Sequence, residues 1–431
     1  MPDARTPPAS QGKPDAPAPP AGETIPGAPT PPAGPSRAPP RGSVFEVFLA
    51  FLRLGLVAFG GPVAHLGYFR EAFVERRRWL SGQAYADLVA LCQFLPGPAS
   101  SQVGIALGLS RAGIPGAFAA WAGFTLPSAL ALALFALGIA AWGEGPAPGL
   151  LQGLELAAVA VVALAVWAMG RTLCPDAPRA TLAAAAAAAT LAWPGPAAQV
   201  GVIVSAAGLG LLLFRRHAEG DSGHALPVTV GRGFALACLA LFAALLLGLP
   251  LLAAGRPGWA IEMLDAFYRS GALVFGGGHV VLPLLQAEVV PPGWVAAEDF
   301  LAGYGAAQAV PGPLFTFASY LGAVAHGWSG AAVALAGIFL PSFLLVFGVL
   351  PFWERLRRRP GARAALAGVN AAVVGLLLAA LYDPVWTGAV RGPGDFAQAL
   401  AAFVALAWWR APPWAVVAAS ALLGWARVAG A

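Results

Sequence analysis

Apolar positions run almost without interruption through five stretches of the chain: 115–141, 150–170, 234–254, 328–350 and 364–382. Crossing the hydrocarbon core takes about 20 apolar residues in a helix, so each stretch predicts a membrane-spanning helix. Two shorter runs, 180–193 and 197–214, predict further crossings. Another apolar-leaning segment, 83–112, carries Pro96-Gly97-Pro98 at its middle. Proline lacks the N–H that a helix needs and clashes with the preceding turn, so this segment must be two short arms around a break. The expected fold is an all-α polytopic membrane protein with broken helices.

Composition agrees with that pattern. Of 431 residues 58% are hydrophobic and 10% are charged, where a soluble domain carries about 25%. Residues 1–43 differ: they are rich in Pro, Ala and Gly and poor in large apolar side chains. Such a segment buries too little surface to offset its ordering entropy and is expected to be a disordered tail, not a signal peptide. Cys92, Cys174 and Cys238 are scattered through or beside apolar runs, with no spacing that suggests a metal or a cofactor. The net charge of +5 is better explained by basic cytoplasmic loops than by a nucleic-acid partner. No nucleotide-binding loop or nucleophile–base pair argues for an enzyme.

The chain repeats itself. Phe51-x-Arg53-x-Gly55 through Phe59-Gly60-Gly61 matches Phe267-x-Arg269-x-Gly271 through Phe275-Gly276-Gly277. Trp79 matches Trp294, Gln93-x-x-Pro96-Gly97-Pro98 matches Gln308-x-x-Pro311-Gly312-Pro313, and Leu126-Pro127-Ser128 matches Leu340-Pro341-Ser342. Glu155 falls opposite Asn370. The order and offset of these blocks define a first repeat, 44–216, a loop with a lone helix, 217–255, and a second repeat, 256–431. Loop charge gives their orientation. Arg76-Arg77-Arg78 makes a first-repeat loop basic, while its second-repeat counterpart has no Lys or Arg. After Leu-Pro-Ser the bias reverses, toward Arg355-Leu-Arg357-Arg358-Arg359. Basic short loops stay in the cytoplasm, so the repeats are expected to be inverted, with the N-terminus cytoplasmic. Arg256 and Arg391 fall on the wrong side of this assignment.

In inverted-repeat transporters, broken helices aim half-helix N-termini at a midplane site, where their dipoles favour anions. Candidates here are Gly60 and Gly61 with Gly276, Gly277 and His279, then Gln93, Pro96, Gly97, Pro98, Ser100 and Ser101 with Gln308, Pro311, Gly312, Pro313 and Thr316. Glycine permits close backbone approach to a ligand; Gln93 and Gln308 can bind substrate or cap free backbone. Arg53 and Arg269 lie inside apolar stretches, where an arginine faces a pathway, snorkels, or pairs with Glu46, Glu262 or Asp265. His65 and Glu155 are the candidate coupling groups, with a structural role as the alternative for each.

From about Phe45 onward these motifs resemble the chromate ion transporter family, often named for chromate resistance, in its long two-domain form. Phe59-Gly60-Gly61-Pro62, the segment from Phe69-Arg70-Glu71 to Arg78-Trp79-Leu80, and the two Pro-Gly-Pro triplets carry the resemblance. It implies export of chromate across the bacterial inner membrane, driven by the proton-motive force. The residues themselves imply an anion carrier, and leave open a sulfate or other oxyanion carrier, uptake, or a channel. Small residues at Gly-x-x-x-Gly-like spacing leave open packing within one subunit or in a homodimer.

Overall fold

The computed structural model describes residues 42–59, 61–141, 148–193, 195–214, 230–275, 278–353 and 359–429. Gly60, Gly276, Gly277, Arg355, Arg357, Arg358, and the Pro/Ala-rich leader up to Arg41 lie outside them. The described residues are helical, with no strand among them. Five helices among them are long and apolar enough to span a bilayer, so the chain is an all-α multi-pass membrane protein.

Local chemistry sets the helix ends. Helix α1 (Val44–Val57) starts where the Ser43 hydroxyl accepts the Glu46 amide at 3.0 Å, satisfying one of its orphan donors. A short helix α2 (Gly61–Phe69) follows and winds into a wider turn, Arg70–Arg76. Ser81 caps α3 (Gly82–Phe94) in the same way, through the Ala84 amide at 3.2 Å. Helix α3 ends at Leu95, which is extended (ψ 147°), because the residue before a proline is driven out of the helical region. Much later α11 (Ala297–Ala309) ends at Val310 (ψ 137°), before Pro311, for the same reason.

Helix α4 (Ala99–Ala141) is not one rod. Ala112 and Gly113 leave helical geometry, Gly113 with φ +68°. The chain folds back there, so that Gly108 meets the Gly116 carbonyl and Ala120. Helix α12 (Phe317–Val349) does the same at His326 and Gly327 (φ +60°), bringing Gly322 onto Gly330. In each hairpin the short first arm follows a Pro-Gly-Pro triplet. The longer second arm contains Leu-Pro-Ser.

Between these hairpins run α5 (Pro148–Leu173), α6 (Ala177–Ala192), α7 (Pro196–Leu213), α8 (Arg232–Gly255), α9 (Trp259–Leu273) and α10 (Val281–Val289). After α12 come α13 (Pro360–Ala380), α14 (Pro393–Ala407) and α15 (Pro413–Ala429). Helix α1 packs on α4 and α9 packs on α12. Further along, the partners are exchanged. Helices α6 and α7 pack on α13, while α14 and α15 pack on α5. Glycines allow the close approach: Gly210 abuts the Ala364 carbonyl and Gly368, and Gly424 abuts the Gly149 carbonyl and Gly153. Side chains at such contacts must force two backbones apart. Gly153→Leu is therefore expected to lower the melting temperature in detergent clearly, while Gly170→Leu, with open space around it, leaves it near wild type.

The surface is as apolar as lipid requires. Leu212, Leu247 and Leu251 are largely exposed, and α8 touches the rest mainly through α9 and α12.

Candidate functional site

The broken segments meet, and they meet crosswise. The Gly97 amide of the first Pro-Gly-Pro donates to the Val274 carbonyl, at the end of α9 (2.7 Å). The Gly312 amide of the second donates to the Ala58 carbonyl, at the end of α1 (3.0 Å). Ala58 and Val274 occupy matching positions, as do Gly97 and Gly312. The two bonds are thus reciprocal, each turn docking on the other segment's helix end, as in a two-fold contact. Both glycines need their type: φ is +120° at Gly97 and +114° at Gly312, backbone that side chains strain to adopt.

His65 reinforces the crossing. Its Nε2–H donates to the same Ala58 carbonyl (3.0 Å), and its Nδ1 lies 3.5 Å from the Ser100 hydroxyl. A fully buried histidine so ties the first turn of α4 to the strut that receives Gly312. In the matching region His279 instead shares a 2.7 Å hydrogen bond with Tyr304. Thr316 donates back to the Pro313 carbonyl (2.8 Å) and closes its own turn. Gln93 is exposed on α3, away from the turn it precedes. Gln102, absent from the candidates above, takes the capping part: its Nε2 donates to the Pro96 carbonyl at 2.6 Å.

Gly61, Pro62, His279, Gln308 and Gly312 line a small cavity of about 20 Å³, together with Leu314 and Pro413. That is room for about one water and too little for a tetrahedral oxyanion. A wider open groove of about 450 Å³ lies between α6 and α7, lined by alanines, Leu182, Trp193 and Ser205. It lacks charge and stands apart from the breaks.

The two arginines part company. Arg269 pairs with Asp265 and Glu288, both at 2.9 Å. Arg53 is exposed on the same face of α1 as Phe45, Leu49 and Leu56 and makes no ion pair among the described residues. Glu155, 3% exposed, lies 3.6 Å from Arg391, and its Oε2 accepts no hydrogen bond. Next to it Asp395 accepts from Gln152 and the Arg391 amide (both 3.1 Å) and pairs with Arg427 (3.2 Å). Arg391, anomalous by the loop-charge rule, thus serves the buried carboxylates of α5 and α14.

Sequence reasoning passed over Ser128 and Ser342. They were visible as repeat matches, but nothing local showed that each stands against the other segment's glycine. Ser128 Oγ would lie 2.7 Å from a β-carbon on Gly312, and Ser342 Oγ 2.9 Å from one on Gly97. Among the described residues no group of three or more His, Cys, Asp or Glu is placed to hold a metal.

The family described as Chromate transporter matches residues 45–214 and 261–425, flanking α8. The chain is 31% identical to the chromate transport protein of Pseudomonas aeruginosa, over 82% of this chain and 84% of that one. It is 28% identical to the chromate transport protein of Cupriavidus metallidurans, covering 85% and 88%. Against the probable chromate transport protein of Synechococcus elongatus the identity is 27%, covering 79% and 84%. No solved structure matches.

Proposed function

Because the chain belongs to the chromate transporter family, we propose that it is a secondary active carrier that exports chromate across the bacterial inner membrane. The observation that carries this is the reciprocal docking of the Pro-Gly-Pro turns on the ends of α1 and α9. Two discontinuous helices crossing at a small cavity are the construction expected of alternating access. A channel would need no such paired breaks.

The matched segments are taken as inverted repeats, 44–216 and 256–431, with α8 supplying the extra crossing and the N-terminus in the cytoplasm. Reciprocity supports a two-fold relation, and the opposed loop charges favour an axis in the membrane plane. Rocking one repeat against the other then opens the cavity to each side in turn. The substrate oxyanion is held by helix N-termini and hydroxyls, which supply positive potential without a fixed cation.

Glu155 is the proposed coupling group. It is a buried carboxylate whose Oε2 faces Arg391 at 3.6 Å without accepting a hydrogen bond, so protonation would release Arg391 and loosen α5 from α14.

Everted vesicles carrying the protein are expected to accumulate labelled chromate when energised and to stop when the proton gradient is collapsed. Glu155→Gln is expected to transport at a rate that no longer follows that gradient. Energised vesicles with folded protein and no accumulation would sink the proposal; accumulation only without energisation would point to uptake. Sulfate transported as fast as chromate would make this a general oxyanion carrier.

A further inference from the structure

We infer that Ser342, Ser101 and Gln102 form an oxyanion subsite at the first Pro-Gly-Pro turn, built for a tetrahedral anion that retains one proton. This deepens the transport reading, since it names the form of substrate that the same crossing accepts.

The two Leu-Pro-Ser serines are matched in sequence and in placement but not in bonding. Ser128 donates to the Thr125 carbonyl three residues back (3.1 Å), an ordinary local bond for a helical serine. Ser342 has the corresponding carbonyl, that of Phe339, within the same helix and does not use it. Its residue is fully buried, and its hydroxyl has no hydrogen-bond partner among the described residues. It stands over the bare face of Gly97, where a β-carbon would lie 2.9 Å away.

The Gln102 amide approaches the same face of that glycine. Its orientation is fixed by chemistry: Pro96 offers only a carbonyl, so the group donating to it at 2.6 Å must be the amide nitrogen. That leaves Oε1, an acceptor, buried and unpaired. Ser101 beside it is 3% exposed and also unpaired at Oγ. A buried polar atom without a partner costs the fold its desolvation, and here three belong to residues just after this turn or facing its glycine. Ser101 and Gln102 also open the short first arm of α4, whose first amides lack intrahelical acceptors and favour negative charge.

Their chemistry is selective. Two hydroxyls can donate to anion oxygens, while Gln102 Oε1 can only accept. A fully deprotonated tetrahedral oxyanion would set one of its oxygens against that acceptor. An anion keeping a single O–H would donate to it instead. Near neutral pH chromate exists partly as hydrogen chromate, whereas sulfate and selenate carry no proton. A site that demands one donor from its ligand therefore separates two ions of the same shape, through the penalty for mispaired buried groups rather than through size.

The experiment is equilibrium binding of chromate to the purified full-length chain in detergent, with sulfate and selenate as competitors at one fixed pH. Wild type should bind chromate and keep it against a large excess of either competitor. Ser342→Ala should bind about 10-fold or more weakly while its ligand-free melting temperature is unchanged or higher, because an unpaired hydroxyl has been removed. Gln102→Leu, read in the same assay, should lose the preference for chromate over sulfate. Wild-type chromate affinity in Ser342→Ala, displacement by equimolar sulfate from wild type, or no chromate binding by wild type would each overturn the inference. Ser342-dependent binding without vesicle flux leaves the subsite standing and removes the transport reading. Flux with binding indifferent to Ser342 does the reverse.

Discussion

Gly312→Ala and Gly97→Ala are expected to abolish oxyanion flux, by about 100-fold or more, while the protein still reaches the membrane. Both glycines hold φ above +110°, where an L-residue costs about 1–3 kcal/mol. Relaxation toward ordinary backbone is blocked on two sides. The amides are committed to carbonyls at the ends of α1 and α9, at 3.0 and 2.7 Å. The new β-carbons would meet the Ser128 and Ser342 hydroxyls at 2.7 and 2.9 Å, inside van der Waals contact. The turn must either break its crossing bond or push the opposite helix away, and both spread the crossing. Gly67→Ala is the control, since it lies within α2 with open space around it. Labelled chromate uptake, normalised to folded protein, measures the effect. Wild-type uptake by Gly312→Ala would reduce the crossing to a packing contact.

Arg269→Ala is expected to be the most damaging change for stability. Asp265 and Glu288 share this guanidinium, and their side chains are only 8% and 11% exposed. Its removal leaves two carboxylates buried beside each other, a loss of about 3 kcal/mol or more. A triple variant, Arg269→Met with Asp265→Asn and Glu288→Gln, removes the charges together and should recover most of the melting temperature. Recovered flux in that variant would show that Arg269 acts on the fold, not on the substrate. Arg53→Ala, exposed and without an ion pair among the described residues, should shift stability by less than about 0.5 kcal/mol. A severe loss in Arg53→Ala would reveal a partner beyond those groups.

The crossings, the breaks and the doubling of motifs were legible because they are written locally. Apolar length sets a span, proline ends a helix, and repeated triplets announce themselves. The apolar run from residue 115 could be recognised, but the fold-back before it rests on Gly113 and Gly327 in positive φ, and neither sits in a marked turn motif. Partner choice was not legible. Nothing near Arg269 points to Glu288, which lies on a different helix. Nothing near Gly312 points to Ala58, because the contact spans most of the chain. Gln93, adjacent to the break in sequence, was open to two roles, substrate binding or capping the broken backbone. The fold uses Gln102 instead, from the turn after the break, whose side chain can reach back to Pro96.

The exchange of partners around α5 and α13 sets an order on the making of this protein. Helix α5 is finished early in synthesis, yet a helix that covers it, α15, is made after all the other described helices. For most of translation α5 must wait in the bilayer with Glu155 and its glycine-lined face unmatched. The N-terminal half therefore cannot mature as the chain grows, as separate domains can. It is completed only when α15 threads back to it. A carrier so assembled passes its own inspection late: a chain that stalls before Pro413 presents a helix with Glu155 and its glycine face uncovered to the machinery that removes unfinished membrane proteins.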